Sequence, residues 1–411
     1  MTERRFRDRF KRSPVKQLEQ DGPPLRIPLE LILRICQTAS TSCYSEAARD
    51  QLHSNLACVN RTFSSLFGRR KWRTVGMRDG ATLPELIERL KVDKEGSDWI
   101  EGVEIEDLVE HYSRRRLEQN WAKLQKRCKN LRFVQLGIPE IQPKMYNGVY
   151  GWVLNGMTDI TTLRLVSLEL NHARTQGSLF GKKPHHVPCI PPNLRHLVLD
   201  RVQLHGVMND DDYAALWPPL AQCQLVSLYL AQLKLSGFSP QANTLVPQMR
   251  ELVKRNSRTL RALHYSRPQG FTLGPDEPLF NSKLHLPELR ILSLSLLHFN
   301  AAVLDAVPKL QHLSLTLCDL PGAYNLDERH KAVRLAMPLL AEALASGSAL
   351  TQLRTLELPV HSELVDCGAE IWGLQELAES AGVRVKMVDA ATLDVETHFR
   401  LLVRDELMER M

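Results

Sequence analysis

Two neighbouring stretches decide the fold: LPELRILSLSLLHFN, Leu286–Asn300, and PKLQHLSLTLCDL, Pro308–Leu320. Each carries Leu-x-x-Leu-x-Leu, at Leu289/Leu292/Leu294 and at Leu310/Leu313/Leu315. Alternation of period two over so short a run marks a strand with one buried face. Two such copies, 21 residues apart, prompt a search of the whole chain, because a repeated unit governs the architecture.

Seven more copies align when other apolar residues are allowed: Ile100/Val103/Ile105, Leu131/Val134/Leu136, Ile160/Leu163/Leu165, Leu194/Leu197/Leu199, Leu225/Leu228/Leu230, Leu260/Leu263/Tyr265 and Leu353/Leu356/Leu358. Successive copies start 31, 29, 34, 31, 35, 29, 21 and 43 residues apart. Two further strands suit the same series, Trp72/Val75/Met77 before it and Val383–Val388 after it. Between copies, Leu245–Asn256, Ala301–Val307, Met337–Ala345 and Ile371–Ser380 space their apolar residues at three and four, with Gly347 and Gly382 where helices should end. The expected fold is α/β, a leucine-rich-repeat solenoid with parallel strands on its concave face and helices on its convex face. The alternative, an α/β sheet of ordinary topology, would need a very large sheet to hold nine copies.

The repeat departs from the usual pattern at its ninth position, where Asn or Cys is expected. Those positions are Leu108, Pro139, Leu168, Val202, Leu233, Pro268, Leu297, Cys318 and His361, so only Cys318 conforms. The eleventh is apolar in Ile141, Leu170, Leu204, Leu235, Phe299 and Leu320. An apolar ladder in place of a polar one points to an irregular solenoid.

Composition agrees. Leucine supplies 68 of 411 residues while aromatics are only 6%, so one side-chain type carries most of the burial. Apolar content of 43% with 24% charged excludes a disordered or collagen-like chain. The net charge of +6 is local, since Met1–Lys16 holds seven Lys/Arg against two acids, leaving about +1 for the rest. A folded nucleic-acid-binding stripe is therefore not expected. The eight cysteines include no CxxC pair, so they read as buried thiols in a cytosolic or nuclear protein. The N-terminus is too charged for a secretory leader, and no run of apolar residues suits a membrane span.

Ahead of the repeats, PPLRIPLELILRICQ places Pro28 at a helix start, with Leu31 and Ile35 four apart on one face. Further on, Leu56, Val59, Phe63, Leu66 and Phe67 recur at helical spacing before Trp72 and Val75. These clusters make a small helical module; the alternative reading is a plain cap over the first repeat's open edge. The stretch resembles the F-box family. Ile27, Pro28, Glu30, Leu31 and Ile35 match its Leu-Pro-x-Glu-Leu-x-x-x-Ile signature, and Val59, Arg61, Phe63, Trp72 and Arg73 match its Val-Cys-Arg-x-Phe…Trp-Arg stretch. Cys36–Asn55 is long for the link between the first two F-box helices, and Asn60 and Thr62 depart from the usual residues. Module followed by repeats is similar to the irregular F-box/leucine-rich-repeat proteins common in fungi, from Pro23 to about Val388. The expected divisions are a basic tail at 1–22, the F-box-like module at 23–78, the solenoid at 79–390 and a C-terminal helix or cap at 391–411.

The resemblance implies a substrate receptor of an SCF-type cullin–RING ubiquitin ligase. Ile27, Pro28, Leu31, Ile35, Val59, Phe63 and Trp72 would then dock on the Skp adaptor, desolvated against its helices. A protein substrate would bind the repeats. Outward positions of the strands give a middle row of Glu104, Gln135, Arg164, Val198, Tyr229, His264, Ser293, Ser314 and Glu357, with Phe133, His196, Asp200 and His312 beside it. The candidate contacts are Phe133, Gln135, Arg164, His196, Asp200, Tyr229, His264, Ser293 and His312, with the aromatic Tyr229 and Phe133 as anchors.

No catalytic residue, cofactor or metal is expected. The chain has no GxGxxG, HExxH or GxSxG. Gly177–Pro184, GSLFGKKP, has the wrong glycine spacing for a phosphate loop, and Lys183 stands where Ser or Thr belongs. The adjacent His185 and His186 are badly placed to chelate one ion together. Asn209–Asp212 lacks the alternating ligands of a calcium loop.

Overall fold

Five of the repeats open with the same turn. The backbone N–H of Leu131 donates to Cys128 O at 3.1 Å, and Leu194, Leu289, Leu310 and Leu353 likewise donate to the carbonyl three residues back. In these copies the first leucine of the motif closes a turn, and the strand follows two residues later. The computed structural model describes residues 31, 34–36, 52, 55–56, 74–79, 82–92, 94–107, 114–137, 144–146, 159–171, 191–205, 223–236, 245–266, 278–317, 326–347, 350–360, 362–389 and 395–408. They fall in two compact units, Met1–Leu52 and His53–Met411. In the first, Leu31 and Arg34–Cys36 are helical.

The second unit contains fifteen described strands: β1 Thr74–Asp79, β2 Gly102–Asp107, β3 Phe133–Leu136, β4 Lys144–Tyr146, β5 Thr162–Val166, β6 Leu168–Asn171, β7 His196–Asp200, β8 Gln203–His205, β9 Ser227–Ala231, β10 Lys234–Ser236, β11 Ala262–Tyr265, β12 Ile291–Ser295, β13 His312–Thr316, β14 Thr355–Val360 and β15 Arg384–Asp389. Eleven form one parallel sheet in strict chain order, β1-β2-β3-β5-β7-β9-β11-β12-β13-β14-β15. All nine expected copies are in it, and both suspected flanking strands join its ends. β1 crosses residue 78/79, where sequence alone divided module from solenoid.

The register keeps each repeat's second leucine beside the next: Val134 pairs with Leu163, Leu163 with Leu197, Leu292 with Leu313 and Leu313 with Leu356. Leu163, Leu292, Leu313 and Leu356 are fully buried in one continuous core. At about 25 cal/mol per Å² of apolar area, each such leucine contributes roughly 1.5–3 kcal/mol. One continuous ladder precedes the strands, in which Arg132 N–H donates to Glu101 O, Thr161 to Arg132, Arg195 to Thr161 and so on to Arg384, at 2.7–2.9 Å.

Helices α1 Thr82–Val92, α2 Lys94–Trp99, α3 Arg114–Arg127, α4 Leu245–Arg255, α5 Ala301–Ala306, α6 Leu326–Ser346 and α7 Gly368–Ser380 lie between strands. Leu86 and Leu90 of α1, Trp121 and Leu124 of α3, Leu252 of α4 and Leu340 of α6 enter the core that the strands' inward leucines form. The four helices expected from periodicity are α4–α7, and α6 extends well beyond the expected Met337–Ala345. Gly382 follows α7 at φ +78°, and Val383 N–H donates to Ala378 O and Gly382 N–H to Glu379 O, the paired bonds of a Schellman stop.

The return segments differ along the chain. After β5, β7 and β9 the backbone turns through Ser167, Arg201 and Gln232, at φ 49°, 52° and 49°, and starts a second parallel sheet ordered β10-β8-β6-β4. Left-handed geometry at a residue with a Cβ costs about 1–2 kcal/mol. The ladder offsets it, since Ser167 N–H donates to Asp200 O and Arg201 N–H to Ala231 O, both at 2.9 Å. In the second sheet Leu170, Leu204 and Leu235, the apolar eleventh positions, stand in register. After β12 the chain instead takes a 3₁₀ turn, Leu296–His298, into α5.

Candidate interaction surface

The face of the large sheet that points away from the core carries the expected middle row as an unbroken ladder. Glu104, Gln135, Arg164, Val198, Tyr229, His264, Ser293, Ser314 and Glu357 are consecutive register partners. This follows from period two: with Leu228 and Leu230 inward, Ser227, Tyr229 and Ala231 must point outward.

An open polar face was the expectation. Gln135, Arg164, Asp200, Tyr229, His264, Ser293 and His312 are instead buried, while Phe133 and His196 are half-buried. A cover over several of them is α8, Val395–Met408. Its Glu396 takes a bidentate pair of hydrogen bonds from Arg164 Nε and Nη2, and Arg164 Nη1 also donates to Gln135 Oε1. Arg400 Nε stands 3.6 Å from the same Glu396, one helical turn on. Phe399 packs on a stacked pair, the Tyr229 and His264 rings, whose centroids are 4.2 Å apart at 14°. Its ring centre lies 5.6 Å from Tyr229 and 6.0 Å from His264. Val395 and Phe399 join Val198, Tyr229, Ala231, Ala262 and Ile291 in an apolar cluster separate from the main core.

Further along the ladder sits Glu357, fully buried. His398 of α8 hydrogen-bonds its Oε2 at 2.7 Å, His312 Nε2 stands 3.3 Å from that oxygen, and Lys386 Nζ lies 3.5 Å from Oε1. Burial pushes the Glu357 carboxyl up, but the neighbouring His312 and His398 outweigh it and hold it well below the usual carboxylate range. Neutral imidazoles line the middle: burial takes His264 down to about 3, and burial with Arg195 takes His196 to about 4. Each Nδ1 hydrogen-bonds a serine hydroxyl at 2.8 Å, Ser293 for His264 and Ser227 for His196. Burial raises the Asp200 carboxyl against the pull of Arg201, and Glu396 adds to the rise.

All nine expected face residues therefore lie on strands of one sheet. The contacts join Gln135 to Arg164 and Tyr229 to His264 and Ser293. Phe133 Cδ1 lies 2.6 Å from where a Cβ on Gly102 would stand, so its ring leans over the neighbouring glycine, apart from the Tyr229 cluster. Three functional candidates were not singled out from sequence, Glu396, His398 and Phe399. The four-residue spacing of Val395, Phe399 and Val403 signals an amphipathic helix, yet nothing local says which surface it meets.

In the N-terminal unit, Leu31 is 50% and Ile35 59% exposed. Ile27, Pro28, Val59, Phe63 and Trp72 lie outside the described residues, as do His185, His186, the Gly177–Pro184 loop and Asn209–Asp212. Among the described residues no cluster of His, Cys, Asp and Glu could hold a metal ion, and no helix is long and apolar enough to cross a membrane. Cys128 and Cys223 are buried free thiols, both pushed up to about 11 chiefly by burial, so neither is a thiolate nucleophile at neutral pH. A 590 Å³ cavity beside the starts of β14 and β15 is lined by Leu353, Arg354, Thr355, Glu379, Gly382, Val383 and Arg384 and holds no nucleophile–base pair.

No family model and no curated protein matches the sequence. Among solved structures, an internalin from Listeria monocytogenes is similar at 13% identity over 76% of this chain and 90% of that one, with a TM-score of 0.25.

Proposed function

We propose that this chain is a non-catalytic recognition adaptor: its repeats bind a protein through the outer face of the sheet, and its N-terminal module docks on the Skp adaptor of an SCF-type ubiquitin ligase. The observation that carries the ligase half is the exposure of Leu31 and Ile35, 50% and 59%, one helical turn apart. Two large apolar side chains left in water on one helix face suit a partner that covers them. The F-box resemblance names that partner's class, and Ile27, Pro28, Val59, Phe63 and Trp72 would complete the contact. The recognition half is supported by the outer ladder, whose Arg, His, Tyr and Glu side chains differ from the leucines facing the core.

A second reading keeps the repeats as a protein-interaction scaffold with no tie to ubiquitin. The ladder favours it equally, because the residues that form that surface all lie on the repeat strands. Co-expression with a Skp adaptor and size-exclusion chromatography separates the two. The ligase reading expects a one-to-one complex for wild type that Leu31→Asp abolishes while the circular-dichroism spectrum stays unchanged. Well-folded wild type eluting without the adaptor would leave only the scaffold.

A further inference from the structure

Helix α8 belongs to a different layer from α1 and α3–α7. Helices α1 and α3–α7 pack on the inward leucines and share the main core, whereas the buried side chains of α8 join only the small outer cluster. Among its described side chains Val395 and Phe399 are the buried apolar ones, with Leu402 and Val403 half-buried at the margin. Polar contacts add to these, through Arg164–Glu396 and Glu357–His398.

What α8 covers has the chemistry of a binding surface. It includes a guanidinium, a phenol–imidazole stack and the Glu357 carboxylate beside the His312 imidazole. Such groups regain hydration when uncovered, which leucines cannot do. A buried ion pair adds little stability over apolar packing but does fix geometry. Each attachment also reads a particular side chain: Arg164 a carboxylate held bidentately, the Tyr229–His264 plate an aromatic ring, and Glu357 a base. Glu396 and Phe399, three residues apart, lie on one face of the helix.

We propose that the outer sheet face is a docking surface for a helical segment of a partner protein bearing a carboxylate and, three residues later, an aromatic ring, and that α8 occupies this surface until such a segment displaces it. The proposal rests on the outer face being the recognition surface and is independent of docking on the Skp adaptor. It gives α8 the role of an intramolecular competitor. A tethered helix acts at an effective concentration that reaches the millimolar range for short linkers. Only a segment that binds more tightly than α8 does untethered takes its place, so weak, non-cognate helices are rejected.

The test uses the full chain with Glu396→Arg and Phe399→Ala together, which remove two of the three attachments and change no residue of the face. A fluorescein-labelled peptide of residues 391–411 is titrated with this variant and with wild type, read by fluorescence anisotropy. The variant is expected to bind the peptide at least about tenfold more tightly than wild type does, because its own helix no longer competes. The same peptide carrying both substitutions is expected not to bind. A folded variant that ignores the wild-type peptide, or wild type that binds as tightly as the variant, overturns the proposal. So does a variant that cannot fold, since α8 would then be integral to the solenoid. Hydrogen exchange on unmodified protein gives a second readout: the amides of α8 are expected to exchange well ahead of β9, β11 and β12, and equal protection contradicts displacement. A Leu31→Asp chain that loses the Skp adaptor but behaves normally in the peptide assay keeps the two proposals separate.

Discussion

At the scale of single residues, the polar groups beside the core do sharply defined work. Asn256 is buried; its Oδ1 accepts the Leu225 N–H at 2.8 Å and its Nδ2 donates to Leu252 O at 2.9 Å, tying the end of α4 to the turn before β9. Asn256→Ala leaves that N–H without a partner and should cost about 2 kcal/mol, read from urea unfolding. His264 makes stability depend on pH. Unfolded, it takes a proton near its ordinary value of 6.5; folded, only near 3. Between those values the unfolded chain holds the extra proton, so stability falls as pH falls, by about 1.4 kcal/mol per pH unit. Glu357 works the same way at lower pH: its stabilising charge is present above the ordinary 4.5 and is lost as pH drops towards its depressed folded value. Urea midpoints should decline from pH 7 to pH 5 in wild type; His196, taken down to about 4, contributes in the same window, so His264→Phe should remove roughly half of the decline. Identical slopes would show that burial of this imidazole is not the cause. That His264 faces outward was legible from alternation alone. Its burial was not, because Phe399 lies 135 positions further along the chain, and the Arg164–Glu396 contact spans 232.

At the scale of elements, local rules decide the ends of helices. Gly382 has open space where a Cβ would go, so Gly382→Ala meets no clash and carries only the penalty of φ +78°. The expected loss is about 1–2 kcal/mol, measured by thermal unfolding. The glycine and helices α4–α7 were legible because both depend on neighbours three or four residues away. The second sheet was not. Apolar residues at the ninth and eleventh positions signalled an unusual return, but three-residue strands such as Gln203–His205 hold no detectable period. They exist because the large sheet has already set the repeats side by side. The left-handed corners at Ser167, Arg201 and Gln232 were equally hidden, since none is glycine.

At the scale of the whole chain, stacking creates patterns that a linear charge count conceals. Beyond the basic N-terminal tail the charges nearly balance, yet the ladder before the strands brings Arg132, Arg195, Arg261, Arg290, Arg354 and Arg384 into one edge row. Strands lie about 4.8 Å apart, which sets Arg354 beside Arg384 as like charges, whereas Arg261 and Arg290 share the nearby Glu288 carboxylate. Added salt should screen the Arg354–Arg384 repulsion and raise the melting temperature, and Arg384→Gln should weaken that salt dependence. The same stacking assembles the outer ladder, while the exposed Leu31 and Ile35 lie in the other unit. The adaptor reading needs these two surfaces to act separately. Hydrogen exchange of the full chain, with and without a Skp adaptor, tests this most directly. The account predicts new protection across the helical stretch around Leu31 and Ile35, with exchange of β3–β13 unchanged. Protection on the sheet face, or none anywhere, would contradict it.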